Sequence, residues 1–125
     1  LAMEFLKEKR PPEIRLFQAI LLQAFEDSMS VSNFKKDTYW KEDSHKWFLE
    51  NSIDFQDVCW NADLDPQVIR EEYLKLIKKG VVKFSKLQKS WMNYREYYRA
   101  YRSAKTKEER AEVKKKIFSD KIRIR

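Results

Sequence analysis

The chain has 125 residues, a formal net charge of +7, and 42% hydrophobic, 14% aromatic and 38% charged residues. This length is typical of one domain with a real hydrophobic core, and the apolar content argues against a disordered chain. One glycine and three prolines leave few of the tight turns that an all-β protein needs, so the composition predicts an all-α, compact multi-helix fold.

The chain contains a single cysteine, which excludes an internal disulfide and a multi-cysteine zinc site and is typical of a reducing compartment. No apolar run approaches the ~20 residues that a membrane-spanning helix needs. The charged opening LAMEFLKEKR lacks the apolar length of a signal peptide. We therefore expect a cytoplasmic protein without a membrane partner, in which residues 1–10 form an N-terminal tail.

The charge is unevenly distributed along the chain. Residues 1–80 carry 12 lysines and arginines against 15 aspartates and glutamates, a net charge of −3, whereas residues 81–125 carry 15 against 5, a net charge of +10. A basic segment of this kind predicts a polyanionic partner, and a solubilising surface is the alternative. We accordingly predict a helical core over residues 11–80 and a basic, aromatic-rich helical extension over residues 81–125.

A first helix is predicted over residues 13–27, because Pro11 and Pro12 interrupt any earlier helix and are well placed to begin the next one. Its apolar residues form one broad stripe: Leu16, Phe17, Ile20, Leu21, Ala24 and Phe25. A stripe of this width predicts a nearly buried helix at the centre of the core, and a dimer surface is the alternative.

A second helix is predicted over residues 37–51, after a connector rich in serine and asparagine. It places Trp40, Trp47 and Phe48 at i, i+7 and i+8. The only histidine, His45, lies among charged residues, and a zinc ion there would have carboxylates alone as its other ligands. We therefore interpret His45 as a surface residue and expect no metal site.

The stretch from residue 54 to residue 80 is typical of a helix-turn-helix. Its first helix is short and presents a small residue, Cys59, to its partner. Its second helix is marked at both ends, since Asp65 can cap its N terminus, Pro66 suits the first helical position and Gly80 suits the closing turn. The second helix has one apolar face: Ile69, Tyr73, Leu76 and Ile77.

The turn of this hairpin comprises residues 62–65. Leu64 takes the apolar turn position, and Ile69 takes the inward position of the second helix. The position that is often glycine is Asp63, and aspartate tolerates the left-handed conformation better than most residues. A helical hairpin that makes no contact with DNA is the alternative interpretation of the same spacing.

Residues 85–105 are predicted to form a helix with two adjacent stripes. One stripe is aromatic and apolar, and the other is cationic: Leu87, Trp91, Tyr94, Tyr97, Tyr98 and Tyr101 in the first, and Arg95, Arg99 and Arg102 in the second. We favour a core-facing position for the tyrosines, with the arginine stems covering the edge and their guanidinium groups contacting phosphate. Alternatively, exposed aromatic residues beside arginines would stack on the bases of single-stranded nucleic acid.

A last helix is predicted from residue 106, where Thr106 and Glu109 have the spacing of a capping box, to about residue 119. It carries a cationic block that consists of Lys114, Lys115 and Lys116. Residues 120–125 alternate like an edge strand or form a basic tail, and the sequence leaves both interpretations open.

The sequence shows no catalytic constellation. One glycine excludes a glycine-rich phosphate loop, and the carboxylate pairs at 71–72 and 108–109 are adjacent and therefore splayed around their helices. Cys59 is interpreted as a small packing residue rather than a reactive thiol. We therefore expect no enzymatic activity, no cofactor and no small-molecule substrate.

Several short motifs lie between residues 14 and 78: Arg15 to Ala19, Gln23-Ala24, Trp47 to Leu49, Asp54-Phe55, Val58-Cys59, Ala62, Leu64 to Pro66, and Ile69-Arg70. With these motifs the chain resembles a group of small, little-characterised bacterial and phage proteins. The resemblance implies a DNA-binding protein of the helix-turn-helix type. Asp63 departs from the glycine expected in the turn, and residues 81–125 lie outside the resemblance.

These features together predict a transcriptional regulator that reads the DNA major groove with the helix after Pro66 and gains salt-dependent affinity from the basic extension. The expected base contacts are Gln67, Arg70 and Glu71. The expected phosphate contacts are Lys75, Lys78, Lys79, Arg95, Arg99, Arg102, Lys114, Lys115 and Lys116. A homodimer is expected because two-fold regulators read paired half-sites. The alternatives are an RNA or single-stranded nucleic-acid binder that uses the helix over 85–105, and a helical protein-interaction module.

Overall fold

The computed structural model describes the backbone of residues 11–124 and, within that range, the side chains of residues 11–116. The described chain contains six helices: α1 (Pro12–Ser28), α2 (Lys35–Glu50), α3 (Ile53–Asn61), α4 (Pro66–Lys78), α5 (Lys86–Ser103) and α6 (Lys107–Ile124). No strand occurs between residues 11 and 124, so the predicted all-α class is confirmed. None of the helices in this range is long and apolar enough to cross a bilayer. The predicted tail over residues 1–10 lies outside the described residues.

The C-terminal end of the described chain is helical. α6 continues to Ile124, so the described part of residues 120–125 is not an edge strand. A helix satisfies its own backbone hydrogen bonds, whereas a strand needs a neighbouring strand, and residues 11–124 contain none.

The described residues divide into two compact units. The first unit contains residues 11–30 and 40–83, and the second contains residues 31–39 and 84–124. α2 therefore begins in the second unit and ends in the first, and the connector that precedes α2 belongs to the second unit.

Four aromatic rings form the centre of the first unit. Phe48 stacks on Tyr73 with a centroid distance of 4.2 Å and an interplanar angle of 18°. Phe25 lies 4.6 Å from Phe48, and Phe55 lies 5.9 Å from it. All four residues are buried, and each comes from a different one of the helices α1 to α4, so this cluster connects the four helices.

The ends of α4 have the structure that their residues predict. The Asp65 carboxylate accepts a hydrogen bond of 2.9 Å from the backbone N–H of Gln67, the second residue of the helix. At the other end, Gly80 has a φ of +76°, and the next N–H, that of Val81, donates to the carbonyl of Leu76 at 3.0 Å. This is the hydrogen bond of a helix that ends in a left-handed glycine.

α1 is less buried than its broad apolar stripe predicted. Leu21 and Phe25 are buried, but Leu16 and Ile20 are 61% and 42% exposed. The prediction of a nearly buried helix is therefore wrong. A small unit has too few elements to surround one helix, so only one side of α1 packs against the aromatic cluster.

The inner face of α2 carries a buried lysine. Lys41 is 1% exposed, and its Nζ donates to the carbonyl oxygens of Ser30 at 2.7 Å and of Lys83 at 2.6 Å. Ser30 ends the first stretch of chain in this unit and Lys83 ends the second. The ammonium group therefore ties the last residue of each stretch to α2. Burial lowers the pKa of Lys41.

His45 lies on the same face of α2 and is half-buried, so its interpretation as a surface residue is wrong. Its Nδ1 lies 2.6 Å from the hydroxyl oxygen of Tyr73. Burial raises the pKa of Tyr73 to about 12, so the hydroxyl keeps its proton at neutral pH and forms a hydrogen bond with Nδ1. Burial and, secondarily, the Lys41 cation lower the pKa of His45, although the Glu42 carboxylate acts in the opposite direction.

We predict that Lys41→Met lowers the free energy of unfolding by about 2 kcal/mol, because a side chain of similar length then removes two part-buried hydrogen bonds to backbone carbonyl oxygens. Urea unfolding followed by circular dichroism measures this loss. Lys79→Met is the matched control, since Lys79 is exposed at the end of α4, and it should change stability by less than about 0.5 kcal/mol. Equal losses in the two variants would contradict the role of Lys41.

We also predict that stability falls as the pH is lowered through about 6.5, the ordinary pKa of histidine. The pKa of His45 is lowered in the folded chain, so the unfolded chain takes up a proton first, and the stabilisation present above the ordinary pKa is lost below it. His45→Asn keeps a side chain that can hydrogen-bond to the Tyr73 hydroxyl, and it does not titrate. Urea midpoints should fall more steeply between about pH 7.5 and pH 5.5 for the wild type than for His45→Asn. Parallel curves would show that His45 is not the group that makes stability depend on pH.

Candidate nucleic-acid interface

α3 and α4 are joined by a short turn that two backbone hydrogen bonds hold. The N–H of Asp63 donates to the carbonyl of Trp60, and the N–H of Leu64 donates to the carbonyl of Cys59, both at 3.0 Å. Asp63 has a φ of +61°, so the left-handed conformation predicted for this residue is confirmed. The two hydrogen bonds form the pattern in which helices commonly end at a left-handed residue.

The residues predicted to face inward in this hairpin do so. Cys59 and Ile69 are 0% and 1% exposed, and Leu64 packs against the same core. Burial, with a smaller contribution from Asp65, raises the pKa of Cys59 to about 12, so the thiol keeps its proton at neutral pH. Cys59 is therefore a packing residue, as predicted. Within the described part of the chain, no three histidine, cysteine or carboxylate side chains are grouped so that they could hold a metal ion.

The three predicted base contacts on α4 lie in different environments. Gln67 and Glu71 are exposed, and the amide Nε2 of Gln67 donates to Oε1 of Glu71 at 3.2 Å. Arg70 is half-buried, and its Nε is buried without a hydrogen-bond partner. The structure therefore brings Gln67 and Glu71 together on the outer side of α4 and leaves Arg70 partly covered.

The predicted phosphate contacts of the hairpin lie at the C-terminal end of α4. Lys75 forms an exposed pair with Glu72, with an N–O distance of 3.3 Å, and Lys78 and Lys79 are exposed. Residues 53–80 contain six carboxylates and four cationic side chains. The hairpin is therefore net negative, which weakens its attraction for a phosphate backbone.

Two of the aromatic residues of α5 are largely exposed. Tyr94 and Tyr98 are 40% and 45% exposed, and no side chain of α5 belongs to the buried apolar core of the described residues. The prediction that the tyrosines face the core is therefore wrong for these two. Three further aromatic residues of α5 are half-buried: Trp91, Tyr97 and Tyr101. Helical spacing shows that the residues share one side of α5, but it does not show whether anything covers that side.

The rings on this side of α5 follow one another along the helix. Trp91 and Tyr94 meet edge to face with centroids 6.1 Å apart, and Tyr94 and Tyr98 are parallel within 9° with centroids 6.0 Å apart. The indole N–H of Trp91 donates to the carbonyl of Asn33 at 3.1 Å, which fixes the orientation of the ring.

Cations from two helices lie against these rings. Nζ of Lys35 lies 5.9 Å from the centroid of Trp91 and 5.5 Å from that of Tyr94. The guanidinium carbon of Arg102 lies 4.5 Å from the centroid of Tyr98, and its Nη2 donates to the Tyr98 hydroxyl at 3.3 Å. These distances are typical of cation–π contacts. We refer to Lys35, Trp91, Tyr94, Tyr98 and Arg102 as the stacking face.

The other two arginines of the cationic stripe differ from each other. Arg95 is half-buried, since its guanidinium carbon lies 4.7 Å from the ring centroid of Tyr39 and its Nη1 donates to the Tyr39 carbonyl at 3.3 Å. Arg99 is exposed. Arg99 is therefore the better placed of the two to meet a phosphate group from solvent.

The cationic block of α6 is exposed throughout. Nζ of Lys114 lies 5.7 Å from the ring centroid of Tyr101, and Lys115 lies 3.9 Å from Glu112 in an exposed pair. Such exposed pairs contribute little to stability. These two lysines and Lys116 therefore remain available to a polyanion.

Two residues beside the rings of α5, Lys35 and Tyr39, were missed by sequence reasoning. Both lie in the first two turns of α2, and residues 31–39 join α5 only in the folded second unit. Local spacing carries no signal for such a contact, because periodicity relates residues within one helix.

The chain matches no known protein family model, no curated protein and no solved structure. The resemblance to bacterial and phage proteins of the helix-turn-helix type therefore stays a prediction from short motifs. The functional proposal accordingly depends on the geometry and charge of the described residues.

Proposed function

We propose that this protein binds single-stranded nucleic acid through the stacking face of α5. The observation that carries the proposal is the exposure of Tyr94 and Tyr98 beside Trp91, on a helix that contributes nothing to the buried apolar core. Stacking of one base on one aromatic side chain contributes roughly 1–3 kcal/mol to binding and tolerates any sequence, because every base has a π face.

The cations of the stacking face support this ligand class. A strand whose bases stack on the rings would carry its phosphates past Lys35 and Arg102, which lie against the same rings. Arginine can also act as a stacking partner, since bases stack on guanidinium planes. The net charge of +10 over residues 81–125 adds long-range attraction for a polyanion.

Exposed rings favour a single strand over a duplex for a physical reason. The bases of a duplex are already paired and stacked, so a side chain reaches their faces only after a few kcal/mol have been spent on unstacking. Single-stranded RNA and DNA present those faces without that cost.

We predict that Tyr98→Ala weakens binding of a fluorescent single-stranded oligonucleotide about tenfold, which corresponds to ~1.4 kcal/mol of lost stacking. Fluorescence anisotropy measures the dissociation constants. Trp60→Ala is the matched control, because Trp60 is an exposed aromatic residue on α3 and lies outside the stacking face; it should change the dissociation constant less than about twofold.

The same titrations should be made with single-stranded DNA, single-stranded RNA and duplex DNA over a series of salt concentrations. Tighter binding of the single strands supports the proposal. Equal binding of all three, or equal effects of Tyr98→Ala and Trp60→Ala, would refute the stacking role. Failure to bind any of them at low salt would refute nucleic-acid binding altogether.

A second candidate function, regulation through sequence-selective binding of duplex DNA, is favoured by the turn between α3 and α4. The left-handed Asp63 and the buried Cys59 and Ile69 support this candidate, because a helix-turn-helix packs two helices against each other across a short turn. In this mode of duplex binding, α4 enters the major groove with Gln67 facing base edges. The basic extension supplies the phosphate contacts that the negatively charged hairpin lacks. A homodimer that reads paired half-sites belongs to the same candidate.

For this candidate we predict different effects of two substitutions. Gln67→Ala should change the order of affinities among duplex sequences, because it removes a base contact. Arg99→Ala should weaken binding to all duplexes alike and reduce the slope of log affinity against log salt concentration by about one. Competition binding with a pool of duplexes measures both effects. Identical effects of the two substitutions, or an unchanged ranking with Gln67→Ala, would count against the helix-turn-helix mode.

A further inference from the structure

We propose that a groove formed by α1, α2 and α3 in the first unit docks a basic amphipathic helix of a partner protein. The groove consists of two adjoining depressions of about 430 Å³ and 500 Å³ that share Asp43 and Ser44. It lies within the first unit, and the inference does not depend on nucleic-acid binding by α5.

The groove has an apolar floor with exposed anchor points. Ile20 of α1, Trp47 of α2 and Val58 of α3 line one depression, and Trp40 lines the other. Ile20 and Trp40 are 42% and 52% exposed. Leu16, which is 61% exposed, lies one helical turn before Ile20 and extends the same side of α1.

The spacing of these residues suits an α-helical ligand. On α2 the groove follows residues 40, 43, 44 and 47, and on α1 it follows residues 20, 23, 24 and 27. Each set covers two turns, or about 10 Å of helix axis. A helix that lies in such a groove inserts apolar side chains at i, i+3 or i+4, and i+7, which span the same length.

The charge of the groove determines what kind of helix fits. Its lining includes the carboxylates of Asp27, Asp43 and Asp54, and no lysine or arginine is among the described residues that line the two depressions. Asp27 accepts a hydrogen bond from Gln23 at 3.0 Å, and Asp54 accepts one from the indole of Trp47 at 2.8 Å. Both donors are neutral, so the negative charges of Asp27 and Asp54 remain.

A partner helix that carries lysines or arginines beside its apolar anchors complements both the floor and the carboxylates. Opposite charges across an interface accelerate association and disfavour wrong partners. An acidic helix with the same anchors would bring like charges together, and a nucleic acid would be repelled. The first unit and the basic extension therefore serve partners of opposite charge.

The test uses the full chain and a fluorescent 14-residue helical peptide of leucine and lysine, with a second peptide in which glutamate replaces every lysine. The lysine peptide should bind at least about tenfold more tightly than the glutamate peptide by fluorescence anisotropy. Ile20→Lys should weaken binding of the lysine peptide at least about tenfold. Leu74→Lys is the matched control, since Leu74 is 44% exposed on α4 and does not line the groove.

Folding of both variants is checked by circular dichroism and by their urea midpoints, and Asp43→Asn, which keeps the size of the side chain, is measured as a second groove variant. Equal affinity for the two peptides, or equal affinity of the Ile20→Lys and Leu74→Lys variants, would overturn the proposal. Light scattering is measured without peptide. A dimer that Ile20→Lys dissociates would assign the groove to a second copy of the chain and would likewise overturn it.

Discussion

The stack of Phe48 on Tyr73 is the contact on which the first unit depends, because it joins rings from α2 and α4 at 4.2 Å and receives a further ring from α1 and from α3. Aromatic rings bury a large apolar area and prefer a small set of mutual orientations, so four helices that share one cluster have little freedom to rotate. Since Tyr73 faces the cluster, α4 buries Ile69 and turns Gln67 and Glu71 outward. The solvent-facing side of α4 is thus a consequence of ring packing.

A phenol inside an aromatic cluster needs a hydrogen-bond partner, and this requirement explains the polar face of α2. His45 forms a hydrogen bond with the Tyr73 hydroxyl, and one turn earlier Lys41 donates to the carbonyl oxygens of Ser30 and Lys83. Buried polar groups stabilise a fold only when their hydrogen bonds are made, so they favour one arrangement of the helices over its alternatives. The same groups link the stability of the first unit to pH, because burial opposes the charged forms of both.

The second unit exposes aromatic rings, whereas the first unit buries a cluster of them. The rings of Tyr94 and Tyr98 lie at the surface beside Lys35 and Arg102. Cationic stems cover part of such a ring while the charged groups stay in water. The groove of the first unit has the opposite sign, with carboxylates around an apolar floor. One small chain therefore offers a basic aromatic surface and an acidic apolar surface, and the two surfaces would attract ligands of opposite charge.

The sequence by itself determined the helical class, the ends of α4 and the turn at Asp63, because capping and left-handed conformations depend on a few neighbouring residues. Helical spacing also determined the inner face of α4. Only the tertiary structure decided that Tyr94 is exposed, that His45 is half-buried and that α1 is covered on one side. Periodicity places side chains on one face without showing what lies against that face. The contact between Trp91 and Asn33 joins residues 58 positions apart, and such contacts depend on how the whole unit packs rather than on any local pattern.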